Sequence, residues 1–339
     1  MGTFVKGECV VSKALRIGIV GCGGHMYEFL YNCLKWVPDV SVLAVCDIDE
    51  KKLERFTRMY NVPNKYTDYN EMFAKESLDA IIVVINETQH YAVAKAAMLA
   101  GIHVFVEKTP SNNTQEAEEL ALIQEQTGKT TMVGFNRRFM TSYVMAKEIS
   151  LRPEFGDILM YQSQFNTSPY RNDAFFKLNH IIHHLDLARF LLGELEITQV
   201  QRVAVNERMV GYTISIRSAK GAIGTIQSGS LLDEMYPIER LELIGNRRNI
   251  VVDNVKSLVY NRPPQPKDKF KPYALNEGSD SLTWNVSHGL YPRFSYHGYE
   301  DEIYYFLTCV REGLTPEPSI ADSVETMKLL DQLEAQLAL

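Results

Sequence analysis

The first 140 residues alternate short apolar segments with segments of helical period. The apolar segments are residues 16–21, 40–47, 80–85, 103–107 and 131–135, and most are rich in Val and Ile. A parallel strand that is buried on both faces needs such a continuous apolar run. Strands that alternate with helices along the chain predict an α/β domain with a doubly wound parallel sheet.

Three amphipathic segments between these strands carry end signals of helices. Asp49 is a candidate N-cap for a helix with one apolar face, formed by Leu53, Phe56 and Tyr60. A second helix is predicted from about residue 90 to residue 100, where Gly101 provides a C-terminal stop. Thr114 is the candidate cap of a third helix, whose first turn is acidic.

After Tyr143 the pattern changes to a helix followed by strands that are close in sequence. Strands are predicted at residues 157–165, 212–218, 222–228, 240–244 and 250–253, with a hairpin turn at Gly245 and Asn246. Residues 261–271 are rich in proline and predict a linker or surface loop instead of a strand. A last helix begins near Ile320. We therefore expect a second, α+β domain with an antiparallel sheet.

Composition and charge narrow the class of protein. The chain has 339 residues, 45% hydrophobic and 23% charged, which is typical of a folded protein of two domains. The net charge of −7 argues against nucleic acid as a default partner. No apolar run reaches the roughly 18 residues of a membrane span, and no signal-peptide core is visible. The five cysteines, an odd number without a CxxC pair, predict reduced thiols and a cytoplasmic protein: Cys9, Cys22, Cys33, Cys46 and Cys309.

A glycine cluster follows the first strand and opens a helix. Gly21 allows a tight turn, and Gly23, followed by Gly24 and His25, lets backbone N–H groups approach a pyrophosphate. Met26 stands where the full dinucleotide-binding fingerprint has glycine. A plain glycine turn is therefore the alternative interpretation.

Asp47 ends the second strand, at the place where an acid grips the ribose hydroxyls in dinucleotide-binding domains. Its carboxylate would repel a 2′-phosphate, so NAD is favoured over NADP. An ordinary turn residue is the alternative for Asp47.

Motifs in order along the chain then resemble one family. GIVGCGG, VCDID, NETQH, AGIHVFVEKTP and GFNRRF are followed by HHLDLARFLLGE, GAIGTI and HGYEDEIYYF. This order and spacing resemble the glucose–fructose oxidoreductase / inositol dehydrogenase / MocA family. The resemblance implies a Rossmann domain at residues 14–140 and a substrate-binding and oligomerisation domain with a large, mostly antiparallel sheet at 141–339, whose last helix is expected to pack back on the first domain.

The same resemblance implies an NAD-dependent dehydrogenase of a sugar, cyclitol or related polyol that forms a homodimer or homotetramer. An NAD-using glycosidase of the same fold and a non-catalytic dinucleotide-binding regulator are the alternatives. The expected partner is a small molecule, with no nucleic acid and no membrane. The expected cofactor-binding residues are Gly21, Gly23, Gly24, His25, Met26, Asp47, Ile48, Ile85, Asn86, Thr88, His90, Glu107, Lys108, Asn136 and Arg137.

The resemblance assigns Lys108 as the cation that stabilises a developing alkoxide and His183 as the base, since Asp186 fixes the register of its motif. A surface lysine and a packing histidine are the plainer alternatives. Asn179 occupies the place where the family usually has an aspartate. The expected substrate-binding residues are Lys108, Arg138, Arg171, Asn179, His180, His183 and His184.

Two further features modify this interpretation. Thr109 follows Lys108 where the family has proline, and a cis bond there would cost roughly 3 kcal/mol, which weakens the placement of the lysine. Five cations are expected to make the cleft itself positive despite the net charge: Lys108, Arg137, Arg138, Arg171 and Lys177. Lys177 would suit an acidic or phosphorylated substrate, and an ordinary exposed lysine is the alternative. The histidine cluster is not expected to bind a metal, because its members cannot all converge on a helix.

Overall fold

The computed structural model describes residues 14–263, 280–286 and 297–338. Within these ranges two sheets dominate. The first has six strands in the order β3-β2-β1-β4-β5-β6, and every neighbouring pair is parallel. Its strands are β1 (Leu15–Val20), β2 (Val40–Cys46), β3 (Asn64–Tyr66), β4 (Ala80–Val83), β5 (His103–Glu107) and β6 (Thr131–Gly134). The predicted doubly wound sheet is confirmed.

Strands β4, β5 and β6 are almost wholly buried, because helices cover both faces of the sheet. Strand β3 was not predicted, since its three residues are polar and lie at the edge of the sheet. The helices of this part are α1 (Tyr31–Leu34), α2 (Glu50–Tyr60), α3 (Tyr69–Lys75), α4 (His90–Leu99), α5 (Thr114–Thr127) and α6 (Thr141–Ser150). A π-helical turn (Met26–Leu30) leads into α1.

The predicted helix ends are confirmed in part. The Asp49 carboxylate accepts hydrogen bonds from the N–H groups of Lys51 and Lys52 and caps α2. The prediction that Thr114 caps α5 is wrong by one position. Asn113 is the cap, because its backbone is extended and its side chain accepts a hydrogen bond from the Glu116 N–H. Thr114 is the first residue of the helix.

The second sheet has eight strands in the order β14-β13-β12-β11-β7-β10-β9-β8. Its pairs are antiparallel except for β7 with β10. The strands are β7 (Met160–Asn166), β8 (Leu195–Asn206), β9 (Met209–Ser218), β10 (Ile223–Gly229), β11 (Ile238–Ile244), β12 (Asn249–Asp253), β13 (Ser257–Arg262) and β14 (Asp280–Asn285). This confirms the mostly antiparallel second sheet and the hairpin between β11 and β12.

One predicted surface segment is corrected. Asn261 and Arg262 belong to β13 and pair with β14, so the segment from residue 261 begins as a strand. Their backbone hydrogen bonds come from pairing with β14, which the local sequence does not predict. From residue 264 onward the predicted proline-rich loop lies outside the described residues, as does Cys9.

Helices cover one face of this sheet and connect it to the first. Helix α7 (Asp173–Phe176), a π-helical turn (Lys177–Ile181) and α8 (Ile182–Leu192) follow one another without a break. Helix α9 (Tyr299–Glu312) returns to the first sheet, where Ile303, Phe306 and Leu307 pack with Ile17. Helix α10 (Ile320–Leu337) packs against α5, α8 and β8 and thereby contacts both parts.

Candidate active site at the switch point of the parallel sheet

The glycine-rich turn lies where the strand order reverses, between the carboxyl ends of β1 and β4. Gly21 has φ of +102°, and a Cβ there would lie 2.0 Å from the carbonyl oxygen of Val84, so only glycine fits. A Cβ at Gly23 would meet nothing within 4 Å. The backbone of Gly23 is thus open to an approaching group, as a phosphate-binding turn requires.

Asp47 holds this turn from the end of β2. One carboxylate oxygen accepts the Cys22 N–H at 2.8 Å, and the other accepts the Asp49 N–H at 2.9 Å. The following Ile48 is 91% exposed. Met26, in contrast, is fully buried in the core, so only its backbone can contribute to a site at this turn.

A cavity of about 210 Å³ lies between the carboxyl edge of the parallel sheet and the helix that contains α7 and α8. Its lining combines titratable, amide and aromatic side chains from both parts of the chain. The lining residues are His25, Val84, Ile85, Glu87, His90, Glu107, Lys108, Asn136, Asn179, His183 and Tyr299.

Most of these residues were predicted for the site, but Val84, Glu87 and Tyr299 were not. Glu87 lies inside the quoted NETQH segment, directly after β4, so its position was a usable signal. Tyr299 stands in the quoted HGYEDEIYYF segment, about 210 residues after Glu87, and the return of α9 to the first sheet brings it to the cavity.

Lys108 follows β5 and projects to the second part of the chain. Its Nζ donates to Asn179 Oδ1 at 2.8 Å and to the Asn179 carbonyl oxygen at 3.4 Å. Burial lowers the pKa of Lys108 below 10.5, although the charge of Glu107 opposes this. The Lys108–Thr109 peptide bond is cis, although threonine stands where the family has proline.

Asn179 and His183 are four residues apart, across the junction of the π-helical turn and α8. Both line the cavity. Asn179 Nδ2 and His183 Nδ1 are buried, and no group among the described residues hydrogen-bonds to either. Burial, and then the positive charges of Arg137 and Lys108, lower the pKa of His183 well below 6.5. His183 is therefore a neutral imidazole at pH 7, with unused hydrogen-bonding capacity.

Glu107 and His25 form a pair on the opposite side of Lys108. The His25 Nε2 lies 3.2 Å from Glu107 Oε1, and the His25 ring meets Tyr299 edge-on at 5.2 Å between centroids. Burial alone would raise the pKa of Glu107, but the hydrogen bond and charge of His25 outweigh it, so that this pKa is lowered. Glu107 is thus an anion with a partner.

Other predicted residues hold the loops around the cavity together. The His90 ring lies 2.6 Å from the Thr109 carbonyl oxygen and 3.2 Å from that of Ile85, which ties the segments after β4 and β5 to each other. Asn86 Oδ1 accepts hydrogen bonds from the N–H and hydroxyl of Thr88. Asn136 Nδ2 donates to the carbonyl oxygen of His297 at 3.0 Å.

The two arginines that were expected to make the cleft positive are paired with carboxylates, although the charge of Arg137 still acts on His183. Arg137 forms a bidentate pair with Glu239 at 2.9 and 3.0 Å, and Arg138 pairs with Asp186 at 2.6 and 2.9 Å. Arg138 also contacts Asp322 at 2.8 Å. Neither arginine lines the cavity. Two buried cations of this kind need buried anions, and these anions come from distant segments that the sequence motif does not show.

The remaining basic residues are also outside the cavity. Lys177 pairs with Glu334 of α10. Arg171 is exposed, and its guanidinium lies over the Phe175 ring at 5.0 Å. The prediction that Arg138 and Arg171 contact substrate, and Arg137 the cofactor, is therefore not supported by their positions, and Lys108 is the cation that faces the cavity.

His180 and His184 are also corrected. His180 stacks between Phe165 and Phe176, with centroids at 3.9 and 4.6 Å, and its Nε2 faces the Phe165 carbonyl oxygen at 3.1 Å. His184 is buried against Phe165 at 4.7 Å. Neither lines the cavity, because the helix turns these two side chains toward β7 while His183 faces the cavity.

Neither a metal-binding cluster nor a membrane-spanning helix occurs in the described parts of the chain. Within those parts, no group of three or more His, Cys, Asp or Glu side chains is arranged to hold a metal ion. None of the helices in the described ranges combines the length and the apolarity needed to cross a bilayer.

Comparison with known proteins assigns the region that carries the glycine turn. Residues 15–135 match the family described as GFO_IDH_MocA, an oxidoreductase family with an NAD-binding Rossmann fold. The chain is 28% identical over 261 residues to the myo-inositol 2-dehydrogenase of Thermotoga maritima, which covers 71% of this chain and 76% of that protein.

Two other comparisons extend this result. An inositol 2-dehydrogenase of Salmonella typhimurium is 29% identical over 185 residues, so the match spans about half of each chain, 53% of this one and 55% of the relative. The crystal structure of a dehydrogenase from Chromobacterium violaceum superposes with a TM-score of 0.85 over 95% of both chains at 22% identity. This structural likeness shows the shared fold.

Proposed function

Because the chain belongs to the Gfo/Idh/MocA oxidoreductase family, we propose that it is an NAD-dependent dehydrogenase acting on a CH–OH group of a sugar, cyclitol or related polyol. The observation that carries this proposal is the cavity in which Lys108, Asn179 and His183 meet beside the glycine turn. A cation and a neutral imidazole that share one small polar cavity are what alcohol oxidation requires from a protein.

The residues present fit a dinucleotide. The open backbone at Gly23 suits a pyrophosphate, and Asp47 lies at the end of β2 with both oxygens fixed near the turn. A bound NAD supplies the acceptor for the hydride that leaves the substrate carbon. Because the Asp47 carboxylate would repel a 2′-phosphate, we propose NAD instead of NADP as the physiological cofactor.

The chain's own residues would then handle the hydroxyl group and its proton. The Lys108 ammonium, oriented by Asn179 Oδ1, would donate to the substrate oxygen and stabilise the negative charge that develops on it. His183, neutral at pH 7 because burial lowers its pKa, would accept the hydroxyl proton. The unpartnered Nδ2 of Asn179 would donate to a further substrate oxygen.

The direct test combines the purified protein with NAD and a panel of sugars and cyclitols, and follows the absorbance of the reduced nicotinamide. We expect NAD reduction with at least one compound and tighter binding of NAD than of NADP in calorimetry. Tight NAD binding without reduction by any compound would contradict the proposal and favour a regulator. The neutral amide of Asn179, in the place of the family's usual aspartate, is consistent with that role. Release of free sugar from an aryl glycoside would favour the glycosidase.

The same proposal divides the tasks along the chain. Residues 14–140 would bind the dinucleotide, and residues 141–339 would supply substrate contacts and self-association. The eight-stranded sheet exposes Met160, Ile223 and Val203 on strands β7, β10 and β8, a surface that suits a second copy in a homodimer or homotetramer. A cytoplasmic location fits the four described cysteines, which are buried and free of disulfides.

A further inference from the structure

The charges around the cavity are unevenly compensated. The residues that line the cavity include one lysine, Lys108, and two carboxylates, Glu87 and Glu107. Glu107 is engaged by His25 at 3.2 Å and by the Lys108 N–H at 3.3 Å. Among the described residues, no hydrogen bond or salt bridge engages the Glu87 carboxylate, although the side chain is only 9% exposed.

The position of Glu87 is fixed by its backbone. It is the first residue of the 3₁₀ turn Glu87–Gln89, which follows β4 at the carboxyl edge of the sheet. The Asn86 cap and the His90 ring, held by two carbonyl groups, anchor both ends of this turn. The cavity is half open, and none of the described residues donates a hydrogen bond to this carboxylate, although its charge acts on Lys108. Its hydrogen-bond donors must therefore come from water or from a ligand in the cavity.

The cations that would recruit an anion are unavailable. Arg137 and Arg138 are paired with Glu239, Asp186 and Asp322, and Lys177 is paired with Glu334. A carboxylate or phosphate on the substrate would therefore face Glu87 and Glu107 with Lys108 as its one counter-charge. Hydroxyl groups, in contrast, are donors that a free carboxylate accepts readily.

We propose that Glu87 is a specificity-determining residue that accepts hydrogen bonds from substrate hydroxyls and excludes anions, so that the substrate is an uncharged polyhydroxy compound. This inference rests on the proposed dehydrogenase function and narrows its substrate class. It argues against the acidic or phosphorylated substrate that Lys177 would have suited.

Matched pairs of compounds test it. The protein saturated with NADH is titrated with D-glucose against D-glucuronate, and with myo-inositol against its monophosphate, and binding is followed by nicotinamide fluorescence and calorimetry. Repulsion between two unit charges about 6 Å apart at an effective dielectric constant of about 20 weakens binding by roughly 100-fold, and the attraction of Lys108 offsets part of this loss. We expect a neutral compound to bind about tenfold more tightly than its charged partner.

The variant Glu87→Gln keeps the shape and removes the charge. We expect the preference for the neutral compound to fall at least tenfold, while the affinity for NADH stays within twofold. Glu125→Gln, which makes the same change on the exposed face of α5, is the control and should leave both quantities unchanged. If Glu87 instead served a hydroxyl of the cofactor ribose, NADH affinity would fall and the preference would remain, which would overturn the proposal.

Other outcomes are also decisive. Equal or tighter binding of the charged partners by the unaltered protein would overturn the inference, as would failure of every neutral compound to bind the NADH complex. Loss of NADH binding itself would instead contradict the proposed function, so the two failures are distinguishable.

Discussion

Two clusters of buried charged side chains meet on helix α8, and they differ in how completely they are hydrogen-bonded. Around Asp186, Arg138 donates to both carboxylate oxygens and to Asp322, while Arg189 contacts Asp322 and Thr326. Around His183, three residues earlier, His183 Nδ1 and Asn179 Nδ2 have no hydrogen-bond partner among the described residues.

This difference separates a structural cluster from a binding site. A buried charge whose partners are all supplied by the protein has nothing left for a ligand. This cluster holds the 3₁₀ turn Asn136–Phe139, α8 and α10 together. A buried polar group without a partner costs free energy, so its retention is informative where it faces a cavity. The neighbouring arginines of the RR motif could not be assigned in this way from the sequence, since only the fold shows their partners.

The largest expected effect tests the cavity. Lys108→Ala should lower kcat/KM for polyol oxidation by about 10⁴-fold, because the cation that stabilises the developing alkoxide is lost. NAD should still bind, which calorimetry checks. Lys220→Ala removes an exposed lysine from a turn and is the control. Unchanged turnover in Lys108→Ala would refute the assignment of the cavity as the catalytic site.

The next effect tests the structural cluster. Arg138→Leu leaves the Asp186 carboxylate buried without its main partner, which should reduce the free energy of unfolding by about 3–5 kcal/mol. Urea denaturation measures this loss, and Arg58→Leu on the exposed face of α2 should change stability by less than about 0.5 kcal/mol. A variant with normal stability but impaired substrate binding would show that Arg138 belongs to the binding site. The distinction between the structural cluster around Asp186 and the site around His183 would then fail.

A smaller effect concerns the cofactor. Asp47→Ala should weaken NAD binding by about tenfold, equivalent to about 1.4 kcal/mol, and NADP binding by less. Part of the loss will be shared, because the Cys22 N–H also loses its acceptor. Asp68→Ala removes the cap of α3, a comparable side-chain role away from the turn, and is the control. Equal losses for both cofactors would mean that Asp47 only supports the turn.

The smallest expected effect, a shift in the pH profile, tests the role of the Asn179 side-chain amide. Lys108 acts here in its protonated form, so oxidation should be lost as pH rises through its pKa, which burial lowers below 10.5. On the acid side, activity should be lost only below pH 6.5, where His183 becomes protonated. Asn179→Asp places an anion beside the ammonium, raises the pKa of Lys108 and should move the alkaline limb up by about one pH unit.

The pH profile of kcat/KM checks this shift, with Asn70→Asp on exposed α3 as the control for the same chemical change. An unchanged alkaline limb in Asn179→Asp would show that this limb does not report the titration of Lys108. A shift to lower pH would contradict the sign of the electrostatic argument itself.

The local sequence was sufficient to predict elements whose structure depends on their own residues. The continuous apolar runs of β1, β2, β4, β5 and β6 must be buried on both faces, so they predicted the parallel sheet. Short polar β3 was missed because pairing with β2, instead of its own composition, makes it a strand. The cap of α5 was misplaced by one residue, since Asn113 and Thr114 are both good caps and only the backbone angle separates them.

For the site, sequence alone determined the presence of a glycine turn, an acid after β2 and a lysine after β5, because strand ends in a parallel sheet share one edge. The tertiary structure decided which polar residues remain available to a ligand. Arg137, Arg138 and Lys177 are neutralised by Glu239, Asp186 and Glu334, which lie far away along the chain. Among the described residues, Glu87 has no hydrogen-bond or salt-bridge partner, and its charge acts on Lys108 across the cavity. Charge compensation is a property of distances in space, and these are set only when the two sheets and α10 pack together.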